Sequence, residues 1–238
     1  MKVLLYISLT FSITNAFSQN CSEYMHFKKG ASYEMETYDS KGTRINRVES
    51  LVKELNISGG KSEATIHSIN YDKSNVRESE GDYTATCLED KVLIDISNLV
   101  KSDKIGGSDN NMDIKVESGF LEIPKVLTIG QSLPNNSIKI TMSEKKSGTP
   151  FGTSNITIQD KKVEARETIT TPAGAYVCYK ITYNSKVEAT LAASSMSIPP
   201  QIYPGVYYIS KDVGLVKAVN LDKKGQVKSY TLLSKVKK

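Results

Sequence analysis

The chain is short of the side chains that most catalytic machinery needs. It holds two histidines and three cysteines in 238 residues. Neither His26 nor His67 has a His or Cys partner at metal-ligand spacing, so a zinc centre of the usual types is excluded and no metal site is expected. A lone histidine in a strand-like run, as His67 is, reads as structural. No Gly-x-Ser-x-Gly elbow, Gly-x-Gly-x-x-Gly turn or Walker-type loop occurs. The sequence therefore names no catalytic residue and implies no cofactor. A charge excess is missing as well. The 31 basic and 26 acidic residues give a net charge of +5 and are mixed along the chain. Without a basic cluster there is no electrostatic footprint for nucleic acid. Glu78, Glu80 and Asp82 lie close together and read as an exposed strand edge rather than a calcium site.

Long apolar runs are missing after residue 17, so no transmembrane span is expected. The one such run is at the start. Met1-Lys2 is positive, residues 3–17 carry no charge, and Ala16-Phe17-Ser18 offers small residues at signal-peptidase spacing. Residues 1–18 are therefore expected to be a secretory signal peptide and 19–238 a single exported domain. Ser18-Gln19-Asn20 lacks the small, apolar character of a lipoprotein cleavage site, which argues against a lipid anchor on Cys21.

What fills the rest is alternation. Val177, Tyr179, Ile181 and Tyr183 share one parity, with Cys178, Lys180, Thr182 and Asn184 between them. Val92, Ile94 and Ile96 repeat the pattern, as do Val163, Ala165 and Ile169. This is the period of a half-buried strand. Turn chemistry separates the runs: Asp39-Ser40-Lys41-Gly42 and Asp222-Lys223-Lys224-Gly225 have one form, and Ser58-Gly59-Gly60-Lys61, Leu88-Glu89-Asp90-Lys91 and Thr170-Thr171-Pro172-Ala173-Gly174 mark further hairpin ends. Helix signals are scarce, with 96–104 the one short candidate before a loop at 106–111. A second loose region is expected at 143–154. The result is an all-β, antiparallel meander forming a barrel-like or half-barrel domain, with an N-terminal part at about 30–97, a middle at about 112–142 and a C-terminal part at about 155–234.

Two features bear on function. An oxidising compartment favours a disulfide, and counting strands puts Cys21 and Cys87 at one end of the meander, so this bridge is expected over the pairings that use Cys178. The uncharged stretch 189–208 reads as a long inter-strand loop folded against the barrel. Its functional alternative is a lip that meets a ligand or partner through Ile198, Ile202, Tyr203 and Tyr207.

Motif order supplies a resemblance. Cys21 to Gly30, Tyr38 to Gly42, Ile123-Pro124, Gly130-Gln131-Ser132-Leu133-Pro134, Val163 to Thr168, Thr170 through Tyr179, and Tyr207-Tyr208 to Lys217 follow one another along the chain. This order resembles the TapB-like exported proteins of Bacteroidota, relatives of an envelope family of unknown function. The resemblance implies a β-barrel-like domain in the periplasm or at the cell surface, and it brings no catalytic residues. The expected role is non-enzymatic: binding a lipid, another apolar or amphipathic ligand, or an envelope protein. The alternative is a hydrolase acting on envelope or extracellular polymers, which would need two close acids in a cleft.

Overall fold

The structure, a computed structural model, describes residues 27–95, 112–192, 196–211 and 213–237. The expected signal peptide (1–18), Cys21, His26 and the expected helix or loop within 96–111 lie outside them. The described chain is all β: β1 (Ser32–Asp39), β2 (Arg44–Ser58), β3 (Lys61–Asp72), β4 (Arg77–Cys87), β5 (Lys91–Asp95), β6 (Met112–Pro124), β7 (Asn136–Glu144), β8 (Pro150–Thr171), β9 (Gly174–Leu191), β10 (Met196–Ser210), β11 (Gly214–Leu221) and β12 (Val227–Lys237). Each strand pairs antiparallel with its sequence neighbour. β1 also pairs with β12, so the meander closes fully into a twelve-stranded barrel. Closure means that neither the first nor the last strand of the meander is an edge strand.

Alternation sets which face points inward. On β3, Ser62, Ala64, Ile66 and Ser68 are buried, while Glu63, Thr65, His67 and Ile69 alternate with them. The outward faces carry ion pairs such as Lys53–Asp82, Lys139–Glu117 and Lys186–Glu188. That is the chemistry of a wall facing water, not a hydrocarbon layer.

The hairpins follow their residues. Gly59 and Gly60 both have positive φ, 56° and 78°, as a two-residue turn between right-twisted strands requires. At the opposite end of the barrel, the Asp39 and Asp222 carboxylates each accept the backbone N–H groups two and four residues on. Asp72 makes the same pair of bonds, with Asn75 (φ 62°) where the other two turns use glycine. Asparagine tolerates the left-handed conformation, so Asp-Lys-Ser-Asn is a third copy of the turn.

Two sequence expectations are corrected. The region 143–154 is strand on both sides of a tight turn: β7 runs to Glu144, β8 begins at Pro150, and Glu144 N–H to Thr149 O (2.9 Å) closes the hairpin. The described residues of the stretch 189–208 are not a long loop but the end of β9 and most of β10. Pro199-Pro200, lacking N–H donors, fall in a register shift between Ile198 and Gln201, which lets the strand continue past them. Glu78, Glu80 and Asp82 lie on the part of β4 before its pairing with β5, which is confined to Thr84–Cys87, so among the described residues only β3 pairs beside them, as the expected strand edge would have it. Asp82 bonds His67 Nδ1 at 2.6 Å and Lys53 at 3.1 Å across the outer face.

The end where the chain enters β1 and leaves β12 is packed shut. Leu127 and Leu133, from the β6–β7 connection, lie on Val163, Ile181 and Ile209. A second cluster gathers Ala31, Val52, Ala64, Ile66, Tyr83 and Ala85. The third is made by the tip of the β8–β9 hairpin, which extends beyond β10's pairing and lays Ile169, Ala173, Tyr176 and Cys178 on Met35, Val213, Val216 and Leu233.

Candidate functional site: a polar spot in a hollow barrel

Side chains can fill a barrel of about eight strands, but diameter grows with strand number. Twelve strands leave space, and here it is a cavity of about 400 Å³. Its wall is mainly apolar, with Met35, Ile94, Leu121, Ile123, Ile158 and Ile209 joined by four tyrosines, Tyr33, Tyr83, Tyr183 and Tyr207. The Tyr33 and Tyr83 hydroxyls bond each other, and burial pushes both phenols above their ordinary range. They stay neutral, so this part of the wall is uncharged.

The exception is Lys161, which is 2% exposed yet lines the cavity. A backbone irregularity puts it there. Upstream, Ile158 faces in. Asp160 then takes a left-handed conformation (φ 55°), and the β8–β9 register skips from Gln159↔Asn184 to Lys162↔Thr182. Asp160 and Lys161 together oppose Tyr183, a β-bulge that moves the inward parity by one residue. Asn184 Nδ2 donates to Asp160 at 3.0 Å and holds the bulge from outside. Inside, the Lys161 ammonium donates to Asn136 Oδ1. Burial pulls the lysine down to about 8, and only the field of Glu122 acts in the other direction. Glu122 is itself paired with Lys91 at 3.2 Å.

Tyr183 forms the partition at the far side. It is paired in register with Gly205, and a methyl at Gly205 would overlap its ring. The bare glycine lets the phenol lie across β10, tilted against Tyr207 at 5.7 Å between centroids, with its hydroxyl 3.4 Å from Asn220 Oδ1. Beyond Tyr183 a second pocket of about 310 Å³, sharing Tyr183 and Ile158 with the first, is lined by Ser185, Tyr203, Asn220, Lys228 and Ser229. The site is thus an inner apolar chamber, an aromatic partition and a polar vestibule toward the end opposite the termini.

The residues expected from sequence are divided by this arrangement. Tyr207 lines the chamber and Tyr203 the vestibule. Ile198 and Ile202, 42% and 48% exposed, line neither. Cys87 is buried at the closed end of β4 and Cys178 is a free buried thiol, while Cys21 lies outside the described residues. Sequence reasoning missed Lys161, Asn136, Tyr183 and Gly205. The available signal was Asp160-Lys161-Lys162, three charged residues in a row interrupting the apolar alternation between Ile158 and Val163. Among the described residues, Glu122 is the one carboxylate lining the chamber, and no cluster of His, Cys, Asp or Glu could hold a metal.

Comparison with known proteins gives a family and a fold. No curated protein matches the chain. A candidate lipoprotein of Parabacteroides distasonis is similar in structure, with a TM-score of 0.70 and 22% identity over 92% of this chain and 100% of that one. A candidate exported protein of Bacteroides fragilis, described as having a YmcC-like fold, aligns with a TM-score of 0.70 and 16% identity over the same shares. The family model that matches covers residues 28–233, nearly all of the barrel, and the chain belongs to the DUF3108-like family.

Proposed function

We propose that this is an exported envelope protein, allied within its family to the TapB-like proteins, that binds one apolar or amphipathic small molecule inside its barrel. The observation that carries the reading is the chamber itself: about 400 Å³, walled by aliphatic and aromatic side chains, and reached through a polar vestibule. Ligand pockets are concave, mostly apolar spaces of this order with a few placed polar groups. The wall draws on strands around most of the barrel, from β1 and β4 through β11. Export is supported by the leader-like residues 1–18, and a Cys21–Cys87 bridge belongs to the same proposal, since Cys178 is free. A polymer hydrolase is less well supported, because the chamber offers one paired acid instead of two facing ones.

The test is binding of an environment-sensitive apolar dye, N-phenyl-1-naphthylamine. Wild type should enhance and blue-shift its emission with one site per chain. Ala218→Phe, which adds a ring at the chamber wall, should lose most of this enhancement while keeping a cooperative melt. Equal enhancement by both proteins would place the dye outside the chamber and remove the reading.

A further inference from the structure

We infer that the ligand of the chamber is a single-chain anionic amphiphile whose carboxylate is held by Lys161 and Asn136, with its tail among the aliphatic residues of the wall. This rests on the ligand-binding reading above and adds the chemistry of the head group.

The argument starts from what Lys161 lacks. A buried ammonium is retained only at a cost unless it is paired and hydrogen-bonded. Its side-chain partner is a neutral amide, and among the described residues no carboxylate stands within ion-pair distance of it. Glu122 is close enough to be felt but is engaged by Lys91. Half of an ion pair is therefore built into an apolar room, with the two N–H donors of the Asn136 amide beside it. The bulge at Asp160 matters here, because an unbroken alternation would have sent Lys161 to the outer wall.

The head is a monoanion of modest size. One point charge answers one carboxylate, whereas a phosphate would call for a guanidinium fork or several donors, and no arginine lines the chamber. The negative field of Glu122 also disfavours a dianion. The tail is a single chain, because the chamber lies at the lower end of the usual range for ligand sites. Access is from the vestibule past Tyr183, where Lys228 contributes positive charge near the mouth.

The experiment titrates full-length wild type, Lys161→Met, Lys161→Gln and the outward-facing control Lys162→Met with dodecanoate, dodecanol and dodecyl phosphate, by calorimetry at neutral pH. Wild type and Lys162→Met should bind dodecanoate at least about tenfold more tightly than dodecanol. Both Lys161 variants should lose that preference and keep dodecanol affinity, a result that also shows them folded. Equal affinity of wild type for acid and alcohol, or a preference that survives in both Lys161 variants, overturns the inference and leaves the chamber reading standing. Tighter binding of dodecyl phosphate overturns the choice of carboxylate. Failure of wild type to bind any of the three removes both readings.

Discussion

Lys161 faces inward because one neighbour, Asp160, adopts a left-handed backbone, and this single-residue event decides the chemistry of the interior. The sequence shows three charged residues in a row there. It does not show which of them a bulge will turn inside, because parity across a bulge depends on the partner strand. The burial of Lys161 has a consequence for stability. Its folded value near 8 lies below the ordinary 10.5, so the unfolded chain holds the proton more tightly and charge burial opposes folding at neutral pH. The cost is on the order of 3 kcal/mol, fully present below about pH 8 and relieved as pH rises toward 10.5. Lys161→Met should therefore stabilise the ligand-free protein by on the order of 2 kcal/mol at pH 7, allowing for the acceptor left on Asn136. Urea denaturation at pH 7 and pH 10 should show the gap between wild type and variant narrowing at the higher pH, with Glu122, Asn136 and the four chamber tyrosines the polar groups facing the site. A gap that widened would contradict the assignment. Gly205 is a second residue whose role is readable only in three dimensions. Gly205→Ala should displace the Tyr183 ring and cost about 1–3 kcal/mol, and near-ultraviolet circular dichroism from the tyrosines should change with it.

At the scale of elements, most strands and hairpins are legible in the chain, because period-two alternation and Asp/Gly turns act locally. The Thr-Pro-Ala-Gly turn predicted at 170–174 joins β8 to β9, and the two Asp-x-Lys-Gly turns sit where expected. What could not be read is where an element changes its buried face. The sequence assigns Val177 inward and Cys178 outward. Instead Val177 is 48% exposed and Cys178 fully buried, because the hairpin tip leaves the wall and presses its other face on Val213, Val216 and Leu233. A register shift between Val163 and Ala165 lies where the tip begins. Burial pushes the Cys178 thiol up to about 11. Native protein should accordingly show no reaction of Cys178 with Ellman's reagent at pH 8, with reactivity appearing only on global unfolding. Reaction at the rate of a free thiol would mean that the tip is not docked. Cys178→Ala should cost about 1–2 kcal/mol through the small void it leaves.

For the whole molecule, the all-β class follows from pattern, but closure does not, since it requires the first strand to meet the last. Glu34 marks that seam. It is 6% exposed and accepts from Ser234 Oγ (2.7 Å) and Lys235 Nζ (3.1 Å) on β12 and from Arg47 Nη1 (3.1 Å) on β2. Glu34→Ala removes the acceptor common to three strands and should cost about 3 kcal/mol in chemical denaturation, much of it from leaving Arg47 part-buried without this partner. Closure with twelve strands is also what makes the interior larger than its side chains can fill. The central claim, that this hollow interior is a ligand chamber, is tested most directly by diffraction from crystals grown with 12-bromododecanoate. The account predicts an anomalous bromine peak inside the barrel near Ile94 and Ile209, with the carboxylate density at Lys161. Bromine only on the outer surface, or a chamber filled by its own side chains, would contradict it.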